Sequence, residues 1–179
     1  MNRYQNIRTI EQIDWLTWQP VDVATLLFII QDEKLLLIRK KRGLGKGKIN
    51  APGGKVEAGE SLQQAAIREV EEEIGVTPHD PVYVGDHRFQ FTDGYSMHVH
   101  VFRASRYTGQ EQESAEAIPL WVSQDHIPYE QMWADDELWI PPMLQGKGFS
   151  GHYLFAGDQL LDHRLQVGEL APKPCDNIQ

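Results

Sequence analysis

Cysteine is almost missing: Cys175 is the single thiol in 179 residues. That excludes an internal disulfide and a cysteine-built metal site, and it suits a reducing cytoplasm. Long apolar runs are missing too. The longest, Val23 to Ile30, is far short of the ~20 residues a membrane-crossing helix needs. Met1 to Trp18 mixes charged and polar residues throughout, without the apolar stretch of a signal peptide. Positive charge is in deficit, with 17 Lys and Arg against 26 Asp and Glu and a net charge of −9. No surplus remains to neutralise phosphates along a polymer, which argues against a general nucleic-acid binder. Repeats and low-complexity linkers are absent, so the chain reads as one domain over 21–170, with an N-terminal extension over 1–20 and a flexible tail over 171–179.

What charge there is falls in blocks. Arg39, Lys40, Lys41, Arg42, Lys46 and Lys48 crowd one loop, and Glu69, Glu71, Glu72 and Glu73 crowd one short segment. Such blocks fit either a metal–polyphosphate complex or two solvated faces. Val21 to Gln31 and Leu35 to Arg39 read as strands around a turn at Asp32 to Lys34. A glycine-dense loop runs from Gly43 to Gly59. Ser61 to Ile74 reads as a helix with Leu62, Ala65, Ala66 and Val70 on one stripe, and Gly75 as its stop. Val82 to Phe91 and Met97 to Tyr107 read as strands about Thr92-Asp93-Gly94, followed by strands at Ile118 to Val122 and His152 to Leu161. A short helix fits within Tyr129 to Leu144, broken at Pro141-Pro142, and partial helix is expected at Ile10 to Leu16. This order makes an α+β protein.

The strongest local signal lies between Gly54 and Val76. Glu69, Glu72 and Glu73 stand at i, i+3 and i+4, which puts three carboxylates on one side of a helix. Their mutual repulsion costs stability unless something compensates, and a hard divalent cation with oxygen ligands is suited to do so. A plain acidic face would explain Glu71. It would not explain why Gly54, Glu60 and Arg68 fall at their spacings. His98 and His100 share a strand face and fit ordinary cross-strand packing better than a metal pair.

The full pattern is Gly54-x5-Glu60-x7-Arg68-Glu69-Val70-x-Glu72-Glu73-x-Gly75-Val76. It resembles the Nudix box at every defined position. The resemblance implies a Nudix fold, a mixed sheet sandwiched between helices as an α/β/α sandwich. It also implies a hydrolase that uses Mg²⁺, with Mn²⁺ as a substitute, to direct water at phosphorus. Glu69, Glu72, Glu73 and the carbonyl of Gly53 become metal ligands by the same resemblance. Arg68 would orient a helix carboxylate, and Glu60 would hold the loop or a further metal. Glu116 would serve as base or extra ligand, with a solvated loop glutamate as the plain alternative.

The likeness extends to Lys40-Lys41-Arg42-Gly43, Asn50, Phe89-x-Phe91, Glu113-Ser114-x-Glu116 and Met132-Trp133-x-Asp135-Asp136 with Trp139. These resemble the human-type oxidised-purine nucleoside triphosphatases of the Nudix family, which act on 8-oxo-dGTP and 2-hydroxy-dATP and clean the nucleotide pool. By that resemblance Asn50, Trp133, Asp135 and Asp136 read the base, and Thr25 and Lys40 face the nucleotide. Phe89 and Phe91 either wall the pocket or pack the core. Trp133 and Trp139 as core aromatics, and Asp135 and Asp136 as helix-start acids, are the plain readings. Leu44, Ala51-Pro52 and Ala117 depart from that pattern. The expected partner is a nucleoside triphosphate, with the protein a monomer or homodimer and neither nucleic acid nor membrane bound. Rival readings are a Nudix hydrolase for ADP-ribose or a dinucleoside polyphosphate, and a silent nucleotide-sensing module.

Overall fold

The computed structural model describes residues 2–170; the expectation of a flexible tail falls outside them. Strands β1 (Asp22–Gln31) and β2 (Lys34–Lys40) form a hairpin. Asp32 and Glu33 turn it with φ of 49° and 59°, the left-handed pair that matches strand twist. The glycine-dense segment is more regular than expected, since β3 (Ile49–Asn50) adds to β2 and β4 (Gly53–Lys55) adds to β1. After α1 (Leu62–Ile74) come β5 (Val76–His79), β6 (Val82–Phe91) and β7 (Ser96–Ala104). The expected strand Met97 to Tyr107 divides there. Its end becomes β8 (Arg106–Gly109), which leaves the main sheet to pair with β5.

Strand β9 (Ala117–Ser123) pairs with β2, α2 (Asp136–Leu144) follows, and β10 (Gly148–Ala156) and β11 (Gln159–Gly168) close the chain. The single closing strand expected at His152 to Leu161 is thus a hairpin, turned at Gly157, whose φ is +59°. The main sheet runs β11-β10-β6-β7-β1-β2-β3. It is mixed, because β1 lies parallel to β7 and β10 parallel to β6.

Alternation along the strands builds two layers. Phe28, Leu35, Leu37, Val99 and Val101 point to one face and pack with Trp139, Ile140 and Met143 of α2. Leu27, Ile29, Leu36, Ile38 and Phe102 point to the other and pack with Leu62, Ala66, Val70 and Ile74 of α1. Period two in the strands meets period 3.6 in the helices, and the sheet ends up between them. Helix α2 runs on through Pro141 and Pro142 instead of breaking there. Proline fixes φ near the helical value, and in so short a helix the lost N–H bonds matter little. At the N-terminus only Ile10–Gln12 is helical, as one 3-10 turn. Ile10, Ile13 and Trp18 bury against Leu154, and Trp18 Nε1 donates to Gln90 Oε1 at 2.8 Å.

Helix α1 is tightly specified. The Ser61 hydroxyl accepts from Gln64 N–H at 3.1 Å, while Gln64 Oε1 accepts from Ser61 N–H at 2.8 Å. This reciprocal cap satisfies two otherwise orphaned donors. Gly75, at φ 76°, ends the helix in the left-handed region. Ser61→Ala should lower stability by about 1 kcal/mol and the melting temperature by about 2–4 °C. An unchanged melt would mean that packing alone holds this end.

Candidate active site

Two neighbouring regions carry the chemistry: the acidic face of α1 with the loop it packs on, and a cavity beside that loop on the α2 face of the sheet.

Arg68 organises the first. Its Nε donates to Glu60 Oε1 at 2.6 Å and its Nη2 to Glu60 Oε2 at 3.0 Å, a two-pronged contact. Its Nη1 reaches Glu69 at 2.8 Å and Glu72 at 3.2 Å, and Nη2 also reaches the Lys55 carbonyl at 3.0 Å. Arg68 therefore ties helix to loop. Glu60 completes the tie by accepting Glu57 N–H at 2.9 Å. The Arg68 guanidinium holds Glu60 below the usual carboxylate range.

Glu69 and Glu73 are held differently. Glu73 is only 3% exposed, and its Oε2 accepts Gly53 N–H at 3.2 Å. Burial pushes its carboxyl up to about 7, with the charges of Glu69 and Glu116 adding and Gly53 and Lys40 opposing. Burial also raises Glu69, against the pull of Arg68. The Glu69 carboxyl lies against the Gly54 backbone, so closely that a Cβ at Gly54 would stand 2.4 Å from its Cδ. A side chain there would push the Glu69 carboxylate from its place. Glu72 is more exposed. Glu116 sits on the loop before β9, ion-paired with Arg42.

The second region is a cavity of about 450 Å³. Thr25, Lys40, Asn50, Phe89, Trp133, Asp135 and Asp136, all singled out in the sequence, line it, and so do Gly53 and Gly54. The cavity thus abuts the loop that packs on α1. Thr25 lies in β1 between Ala24 and Leu26, which belong to the α2-side core, so alternation turns its side chain to the α1 side. Its hydroxyl has no hydrogen-bond partner among the described residues. Asn50 Oδ1 accepts Ala51 N–H at 2.8 Å, which leaves the amide NH₂ as the donor at the cavity rim. Phe89 stacks on Tyr153, with ring centroids 5.0 Å apart; it serves core and wall at once.

The paired acids are buried, Asp135 at 2% and Asp136 at 3% exposure. Asp135 Oδ2 accepts Trp139 Nε1–H at 2.9 Å, and Asp136 Oδ2 accepts Trp133 N–H at 3.2 Å. Asp135 does not cap α2 with its side chain, so helix capping does not account for it. Burial pushes Asp135 up to about 6. Burial, joined by the charge of Asp135, raises Asp136 well above the carboxylate range. Burial favours the protonated form of each acid, and a protonated carboxyl donates where an ionised one accepts.

The sequence named Trp139 within the motif without giving it a role at the site. Trp139 orients Asp135 from one helical turn away, a spacing of i, i+4 that could have been read. Phe155, from a distant strand, gave no local signal. Nor did the basic loop behave as one block: Lys41 pairs with Glu113 at 2.7 Å, Arg39 donates to Gln131 at 2.7 Å, and Lys40 is the one member of the block that lines the cavity. His98 bonds Asp86 at 2.7 Å and His100 bonds Tyr83 at 3.1 Å.

Comparison with known proteins follows the same outline. The NUDIX domain profile matches residues 20–142. The oxidized purine nucleoside triphosphate hydrolase of Danio rerio is 47% identical over 149 residues, covering 82% of this chain and 96% of the relative. Its Mus musculus counterpart is 40% identical over 144 residues, covering 79% and 92%. The crystal structure of a MutT protein from Bacillus halodurans superposes with a TM-score of 0.74 at 27% identity, covering 82% of this chain and 98% of that one.

Proposed function

The chain belongs to the NUDIX domain family, and from that premise we propose that it hydrolyses oxidised purine nucleoside triphosphates, 8-oxo-dGTP and 2-hydroxy-dATP among them, to monophosphate and pyrophosphate. The observation that carries this is the cavity in which Trp133, Asp135, Asp136 and Asn50 converge beside Gly53 and Gly54. A purine needs a flat apolar surface and paired donors and acceptors along its edge. That wall supplies both. The names of the Danio rerio and Mus musculus relatives support the same substrate class.

The acidic side fits a divalent cation, for which we propose Mg²⁺ with Mn²⁺ as substitute. Glu73 is a buried carboxyl pressed by like charges, and Gly54 clears space for the Glu69 carboxylate. Glu69, Glu72, Glu73 and the Gly53 carbonyl would hold the ion, with Glu116 nearby. Among the described residues no three acidic, His or Cys side chains close on a point by themselves. Mg²⁺ completes its shell with water and substrate phosphates. When bound, the ion neutralises phosphate charge and acidifies the attacking water. Lys40, which lines the cavity and whose charge opposes the upward push on Glu73, would contact the phosphate chain. No described helix is long and apolar enough to cross a membrane.

Pyrophosphate release with Mg²⁺ across dGTP, 8-oxo-dGTP, 2-hydroxy-dATP, dATP and ADP-ribose tests the reading. We expect strong preference for the oxidised purines. Turnover confined to ADP-ribose would overturn the substrate and keep the chemistry; no metal-dependent turnover at all would leave a nucleotide-binding module.

A further inference from the structure

Lys48 belongs by sequence to the basic loop, whose charges fit either a bound polyphosphate or a solvated face. Its ammonium stands over the Trp133 indole, 5.0 Å from the ring centroid. The same Nζ pairs with Asp158 Oδ2 at 3.1 Å, in the turn between β10 and β11. The stem is covered, leaving the side chain 23% exposed against 73% for Asp158. Trp133 lines the cavity and Lys48 does not.

The loop also meets the indole at its edge. A Cβ on Gly45 would come within 3.0 Å of Trp133 Nε1. Gly45 and Lys48 therefore close on the tryptophan from the side of the loop, while Phe155 stands at 89° to it with centroids 5.6 Å apart. A cation over an indole is attracted by the ring's negative face, and the attraction strengthens as water is excluded. The charge of Lys48 also opposes the upward push of burial on Asp136.

We propose that Lys48, anchored by Asp158, is a positioning residue for the base platform: it fixes the Trp133 indole for purine stacking and does not bind phosphate. The proposal rests on the base-reading role of Trp133 given above. A polarised, immobilised indole loses less freedom when a base stacks on it, so the effect belongs to affinity for the base.

The test is binding and turnover with a ladder of ligands that share one base: 8-oxo-deoxyguanosine, 8-oxo-dGMP and 8-oxo-dGTP. Lys48→Met should weaken all of them by the same factor, about three- to tenfold, with the loss in KM and not in kcat. Lys48→Arg, which keeps a cation able to stack, should restore binding to within about twofold of the parent. Asp158→Asn should act in the same direction with a smaller effect, and it covers the case in which Lys48→Met folds poorly. A loss that grows with each added phosphate would make Lys48 a phosphate ligand and overturn the proposal. Trp133→Ala separates the two readings. If it leaves nucleoside binding unchanged, the base-platform reading fails. If it weakens binding while Lys48→Met does not, only the role of Lys48 fails.

Discussion

Glu73→Gln should lower kcat/KM by on the order of 10³-fold or more while leaving the fold intact. Glu73 is nearly inaccessible, accepts Gly53 N–H, and lies within the electrostatic reach of Glu69, Glu116 and Lys40. The amide keeps the shape and can still accept from Gly53 through its oxygen, but it removes the charge a cation would bind. The fold should not suffer, and the direction can be worked out. The carboxyl is raised from 4.5 to about 7 in the folded chain. Its stabilising contribution is therefore fully present below pH 4.5 and is lost as pH rises through 7. Metal-free wild type should lose more stability over that window than the glutamine variant, in which only the other raised carboxyls, Glu69, Asp135 and Asp136, still titrate upward. Melting curves in chelator at pH 5 and pH 8 check this. The variant should melt at or above wild type at the higher pH, and near-normal turnover in Glu73→Gln would remove Glu73 from the metal site.

The acidic helix was legible because several local rules agree there. Ser61 and Gln64 announce the start, Gly75 the stop, and the apolar stripe sets the buried side, into which Glu73 also falls. The α1 and α2 layers followed from strand alternation. Two of the misreadings share a cause, which is that long-range context overrode a local rule. Pro141 and Pro142 are helix breakers by propensity, yet Ile140 and Met143 on either side of them are buried in the α2-side core and keep the helix wound. Gly157-Asp158 is a two-residue hairpin signal that the sequence reading missed between two runs of strand formers. Ser105 and Arg106 carry no break signal, and β8 departs only because β5 offers a partner.

The site shows the same division. Spacing along one helix singled out Glu69, Glu72 and Glu73 as candidates, the family resemblance added Arg68, and spacing could have linked Trp139 to Asp135. Lys48 against Trp133, or Glu116 against Arg42, joins segments far apart in the chain. No local period reveals such pairs, so charge clustering suggested one basic loop where the fold distributes its members among separate tasks.

The base wall makes the second large prediction, in Asp135→Asn. Asparagine can still accept Trp139 Nε1–H through its oxygen, so Trp139 and α2 should stay in place. What changes is the proton inventory. Asp135 and Asp136 are buried together, one pushed up to about 6 and the other well above its ordinary range, partly by the charge of Asp135. A permanently neutral residue at 135 removes that charge, eases ionisation of Asp136 and fixes one donor where the wild-type pair can redistribute a proton. The two oxidised purines present different donor and acceptor edges, so they should not suffer alike. The ratio of kcat/KM for 8-oxo-dGTP over 2-hydroxy-dATP should move by about tenfold or more. Equal losses across all nucleotides would mean that Asp135 supports the wall without reading the base. Stability supplies an independent sign. Because the folded-state value of Asp135 lies above 3.8, its contribution is fully present below that pH and lost as pH rises through about 6. The melting temperature of Asp135→Asn relative to wild type should therefore climb between pH 4 and pH 7. A flat difference across that range would mean that the carboxyl at 135 titrates normally, and the proton-sharing account of the wall would fall with it.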